Sequence, residues 1–125
     1  MALDVELMLK QMHSSVGLAR EVLPVVLQET PGTIKQLAEA VGKSDSDAVQ
    51  KLAHLLKGRA ASIAAVTMSE HCAALDLSAR AGQLEKFAFL FNTICEDYLA
   101  LEAEIKAWLA AHELVTSAKR PGLND

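Results

Sequence analysis

Aromatic residues are scarce in this chain, with one Trp, one Tyr and three Phe among 125 residues. A sheet core draws heavily on aromatic and β-branched side chains, so their scarcity disfavours a β protein. Cysteine is scarce too. Cys72 and Cys95 both fall within apolar helical stripes, so buried reduced thiols are expected rather than a disulfide. Basic charge is not in excess: 12 Lys and Arg against 16 Asp and Glu leave a net charge of −4, which argues against a nucleic-acid partner. No apolar run approaches the ~20 residues needed to cross a bilayer, and no basic amphipathic helix points to a membrane surface. The first residues, Met1-Ala2-Leu3-Asp4-Val5-Glu6, lack the charged-then-apolar order of a signal peptide, so a cytoplasmic protein is expected. Glu-x-x-His pairs and His-Glu-x-x-His are absent, as is any glycine-rich phosphate loop. Neither a resident metal nor autophosphorylation from ATP is therefore expected.

What is present is helical. Half of the residues are hydrophobic, alanine and leucine dominate, and the length suits one domain with a single core. Punctuation divides the chain into about five pieces. A short helix runs from Asp4 to Met12 and stops before His13-Ser14-Ser15. A second spans about Val16 to Val41, with Leu23, Leu27, Ile34, Leu37 and Val41 on its apolar side. Ser44-Asp45-Ser46-Asp47 supplies a capping box for a third helix, and Thr67-Met68-Ser69-Glu70 supplies another for a fourth, closed by Gly82. The fourth helix turns Met68, Cys72, Leu75 and Ala79 inward. Leu84, Phe87, Phe91, Ile94, Tyr98, Leu101, Ile105 and Trp108 form a heptad-like seam along the fifth. The expectation is an all-α protein, an antiparallel four-helix bundle with a short additional N-terminal helix. Residues 1–116 form the domain, and 117–125 a flexible tail.

The third helix carries the candidate site. Val49, Leu52, Leu56, Ala60 and Ile63 recur at three- and four-residue spacing and define its buried stripe. At roughly 100° per residue, His54 points about 160° away from the centre of that stripe. Lys57 and Gly58 lie one turn further along the exposed face, followed by Ala61 and Ala65. An outward imidazole with a cation beside it and no bulk beyond it suits a reaction with another macromolecule. Neutral imidazole is a nucleophile, a cation at i+3 supplies a positive field beside it, and glycine at i+4 leaves space for a partner. Arg59 falls near the edge of the stripe and is read as lying along the bundle surface. Asp76 is read as a surface or capping charge, and His13, His71 and His112 as structural or solvated.

The run Ala53-His54-Leu55-Leu56-Lys57-Gly58, followed by small residues and the aliphatic Ile63, resembles the signature of the histidine-containing phosphotransfer domains of bacterial-type phosphorelays. Cys72 to Gly82 is similar to the family's next helix, which often carries an acidic residue where Asp76 stands. Leu23 to Val41, with Thr30-Pro31 inside it, is similar to its long second helix. Local rules would break a helix at Pro31-Gly32, whereas the resemblance implies a kinked continuation. The resemblance spans Leu18 to Leu109 and shows two departures: Arg59 stands where a small residue is usual, and Ala64 where glycine is usual. It implies a carrier, not an ATP-dependent kinase, in which His54 accepts a phosphoryl group from a receiver-domain aspartate and passes it to another receiver. Lys57 would stabilise phosphoryl charge and Gly58 would give steric access. Leu55, Arg59, Ala61 and Ala65 would form the receiver-docking face. The implied partners are response-regulator receiver domains and a hybrid sensor histidine kinase, with magnesium supplied by the receiver and the chain itself a monomer. The competing reading is an all-helical adaptor that docks a partner without chemistry, and phosphate uptake by His54 separates the two.

Overall fold

The computed structural model describes residues 1–124, and side chains as far as His112. Among the described residues the chain forms five α-helices: α1 (Val5–Gln11), α2 (Val16–Gly42), α3 (Ser46–Ser62), α4 (Val66–Arg80) and α5 (Phe87–Asn124), with one 3₁₀ turn at Leu84–Lys86 before α5. The tail expected at 117–125 lies outside the residues whose side chains are described.

Local sequence explains most of the boundaries. Asp4, Ser15 and Asp45 each accept a hydrogen bond from the backbone amide three residues on, at Leu7, Leu18 and Ala48, and so cap α1, α2 and α3. α2 continues through Pro24 and Pro31. Both prolines are exposed, so water can reach the carbonyls they leave without partners. Gly82 closes α4 in the left-handed region, with φ +68°.

The start of α4 differs from expectation. It begins at Val66 after Ala65, and no side chain caps it. Ile63, Ala64 and Ala65 form a buried turn in which Ala65 donates back to the Ala60 carbonyl, so no polar cap is accommodated there. Ser69, expected within a capping box, instead donates its hydroxyl to the Lys57 carbonyl across the α3–α4 interface at 3.2 Å. Ala64 sits at φ +62°, a conformation that costs a non-glycine residue ~1 kcal/mol or more. That geometry accounts for the preference for glycine at this place.

α3 packs mainly on α4, α4 on α5, α5 on α2 and α2 on α3, which closes a four-helix ring. Cross-links between His54 and Asp76 and between Ser69 and Lys57 show α3 and α4 running antiparallel. Leu23, Leu37, Val49, Leu56, Ile63, Leu75, Phe87, Ile94, Leu101 and Ile105 fill the centre. α1 lies over the end of the bundle: Leu3, Met8 and Met12 are buried, the Asp4 backbone amide donates to the Ala64 carbonyl, and Glu104 accepts from the amides of Ala2 and Leu3 at 2.9 Å each. Leu84, expected in the α5 seam, is exposed in the 3₁₀ turn, and the seam begins at Phe87. Cys72 is buried with its thiol pushed up to about 12 by burial and the charge of Asp97, which leaves it unreactive. Cys95 is a free thiol, only half-buried.

Candidate functional site

The inward register of α3 is Val49, Ala53, Leu56 and Ala60, all buried. It turns His54 outward, and 57% of the imidazole side chain is exposed. Its Nδ1 lies 3.1 Å from Oδ2 of Asp76 on α4. This contact overturns the reading of Asp76 as a surface or capping charge. Its side chain is only 6% exposed, and it is the hub of the site. Gln50 Nε2 and Arg80 Nε donate to Oδ1 at 3.0 and 2.9 Å, and the Lys57 ammonium stands 4.0 Å from Oδ2. Burial pushes the Asp76 carboxyl up. The hydrogen bonds from Arg80, Gln50 and His54, together with the Arg80 charge, outweigh that and hold it below the usual carboxylate range. Asp76 is therefore an anion at neutral pH, fixed between two helices.

Sequence reasoning missed Asp76, Gln50 and Arg80. One signal was available. Cys72, Leu75, Asp76 and Ala79 share the inward register of α4, and a carboxylate there must find donors on a facing helix. Arg80, one turn beyond Asp76, adds a second cation to Lys57.

The remaining predicted positions separate. Gly58 is exposed, and a Cβ built on it meets no heavy atom within 4 Å beyond its own helical surroundings, so the space beside His54 is open. Leu55 is 44% exposed and Ala61 is exposed. Ala65 is fully buried in the α3–α4 turn, so it cannot belong to a docking face. Its assignment extended the face of α3 past Ser62, where the helix ends. Arg59 turns toward α2 rather than along the His54 face. It donates to Thr33 Oγ1 at 2.9 Å, Thr33 in turn donates to the Glu29 carbonyl, and the guanidinium lies 3.7 Å from the Glu29 carboxylate. It ties α3 to α2.

A second histidine–carboxylate pair joins α4 to α5, with His71 Nδ1 against Asp97 Oδ2. Among the described residues no Lys or Arg forms an ion pair with Asp97. His112 stacks on Trp108 and donates from Nδ1 to the Trp108 carbonyl. Among the described residues no group of three or more His, Cys, Asp or Glu could hold a metal ion, and no helix is long and apolar enough to cross a membrane.

Comparison with known proteins agrees with this fold. The family model for the Hpt domain matches residues 21–112. No curated protein matches the chain. The fold is similar to that of histidine-containing phosphotransfer protein B from Pseudomonas aeruginosa, with 20% identity over 88% of this chain and 96% of that one and a TM-score of 0.82. It is also similar to the HPT domain of a sensor hybrid histidine kinase from Shewanella, with 21% identity over 88% of this chain and 95% of that one and a TM-score of 0.79.

Proposed function

The chain belongs to the Hpt domain family, the histidine phosphotransfer carriers of phosphorelays, and on that premise we propose that His54 carries the phosphoryl group. The observation behind this reading is the grouping of an exposed imidazole with Lys57, Arg80 and the open flank at Gly58. Phosphoryl transfer depends mostly on positioning and charge neutralisation. The imidazole supplies the nucleophile, Lys57 and Arg80 supply positive field, and Gly58 admits the donor's loops. The donor and the next acceptor are receiver-domain aspartates, reached through a face built on Leu55, Gly58 and Ala61. Magnesium stays with the receiver, whose carboxylates and phosphoryl oxygens are suitable ligands. One copy of the chain suffices, as a carrier that neither binds nor hydrolyses ATP. An adaptor without chemistry would leave the buried Asp76 carboxylate and its two cations beneath His54 without a purpose. Incubation with a phosphorylated receiver domain should label the chain, and a second, unphosphorylated receiver should then remove the label. A folded protein that takes up none is an adaptor.

Lys57 acts in this proposal through charge rather than through the fold. Its side chain is about one-third exposed, and its 4.0 Å approach to Asp76 is loose. Lys57→Ala is therefore expected to change stability by no more than about 0.5 kcal/mol. Transfer from a phosphorylated receiver should still slow by about 10-fold, because a cation near the transferring oxygens is lost. Thermal melts and single-turnover transfer measure the two effects. An unchanged rate would make Lys57 an ordinary surface charge.

A further inference from the structure

α5 carries two stripes in heptad register. One, from Phe87 through Ile94 and Leu101 to Ile105, is buried in the bundle. The other lies on the opposite side of the helix. Phe89, Asn92, Glu96, Leu99, Ala103 and Lys106, ending at Ala110, repeat the same alternation of three- and four-residue steps, and all are exposed. Of the eleven exposed residues from Ala88 to Ala111, only Glu96 and Lys106 are charged. A solvent-facing helix surface is ordinarily rich in charge. Here it presents Phe89 and Leu99, 73% and 65% exposed, among alanines. Single exposed apolar side chains are ordinary, but a strip of them in heptad register suits contact with another helix.

The two charges select the partner helix. We infer that this face of α5 pairs with the same face of a second copy of the chain, antiparallel about a two-fold axis level with Leu101. In that register Glu96 of each copy stands opposite Lys106 of the other, and Leu99 opposite Ala103, a large side chain against a small one. A parallel pair would instead set Glu96 against Glu96 and Lys106 against Lys106. Lys106 meets Glu102 of its own helix only at 3.8 Å, so its ammonium is free to turn toward the other copy. The strip is one helix wide and about 32 Å long at 1.5 Å per residue. That is less than the ~800 Å² per partner of a standard interface, so the dimer belongs to high concentration and is lost on dilution. α5 packs on α2 and α4, and so does α3, which places the two helices diagonally across the ring. Both His54 rings therefore face away from the paired helices. The inference departs from the monomer expected of this chain and does not depend on the phosphoryl chemistry.

Sedimentation equilibrium of the full chain tests this between about 10 µM and about 1 mM, where weak association is read. The average mass should rise from 13.4 kDa toward twice that value. Leu99→Glu sets a carboxylate against Ala103 of the other copy and should weaken dimerisation by about 100-fold. Glu96→Lys and Lys106→Glu should each weaken it by about 10-fold, because two attractive pairs become two repulsive ones. Mixed together, these two variants should pair as tightly as the wild type, since each supplies the charge the other lacks. A chain that stays at 13.4 kDa throughout overturns the inference. So does a dimer that folded Leu99→Glu leaves intact, which would lie on another face. Mixed variants that do not recover overturn the antiparallel register, and they decide the matter if Leu99→Glu fails to fold. Phosphoramidate, a small phosphoryl donor that loses ammonia on transfer, should label His54 of Leu99→Glu at the wild-type rate. A wild type that dimerises but takes no label on His54 overturns the relay reading and leaves this inference standing.

Discussion

Replacing His54 with Gln is expected to remove essentially all acid-labile phosphate from the protein, a loss of at least ~1000-fold against background, as befits the loss of a nucleophile. The chain has four histidines, and the structure distinguishes their surroundings. His13 occupies the turn between α1 and α2 at φ +55°. His112 is stacked on Trp108 with its Nδ1 committed to a carbonyl. His71 is the serious competitor, because it has a carboxylate on Nδ1 just as His54 does. It differs in that, among the described residues, no Lys or Arg is paired to that carboxylate, whereas Asp76 gathers both Lys57 and Arg80. A dianionic phosphoryl group arriving at His71 would stand beside the Asp97 carboxylate with no described Lys or Arg paired to it. The fold should survive His54→Gln. Glutamine is a good helix former, the position is exposed, and Asp76 keeps its bonds to Gln50 and Arg80, so the change in stability should stay near 1 kcal/mol. Incubation with a phosphorylated receiver, then peptide mapping of the acid-labile label, measures the outcome. Label retained in His54→Gln, or found chiefly on His71, would move the site to α4.

The parts of this site that lie on one helix were legible in the sequence, and the parts shared between helices were not. The stripe through Val49, Leu56 and Ala60 fixes which way His54 points, and Asp45 fixes where α3 begins. Both are local facts of spacing and capping. Asp76 was misread because its burial depends on donors 22 to 26 residues earlier in the chain, and single-helix patterns treat an aspartate as solvated by default. Arg59 and Thr33 hide in the same way. Each looks polar and outward until α2 and α3 are placed side by side and the guanidinium finds the hydroxyl. The error at Ala65 has a different cause. Helical periodicity was carried past Ser62, but the chain turns at Ala64 and buries the next residue. The missing cap at the start of α4 follows from that same buried turn. Periodicity thus predicted faces well within helices and failed where the backbone leaves them.

Gly58 should separate stability from function more sharply than any other position. Glycine inside a helix costs roughly 1 kcal/mol relative to alanine, because it surrenders more backbone freedom on folding. At Gly58 no packing opposes its replacement: the position is exposed, and a Cβ meets no heavy atom within 4 Å. Gly58→Gln should therefore hold or raise the melting temperature, by up to about 4 °C for a domain of this size. The same side chain would stand one turn beyond His54, about 40° round the helix. That is the flank opposite Lys57 and the Asp76 contact, where an incoming aspartyl phosphate and its loop must settle. Acceptance from a phosphorylated receiver should fall by about 100-fold, the scale of loss when reacting groups are held even ~1 Å out of place, and Gly58→Ala should be milder. Phosphoramidate is small enough to pass the glutamine, so its rate should change by less than about 3-fold, within the weak effects expected of a surface substitution. That contrast assigns the loss to excluded approach rather than to damaged chemistry. Early melting of Gly58→Gln would make the glycine a packing residue. A stable variant that accepts phosphate from the receiver at the normal rate would show that the partner does not use this flank. Equal losses with both donors would place the fault in the imidazole and its charge cluster, not in access to them.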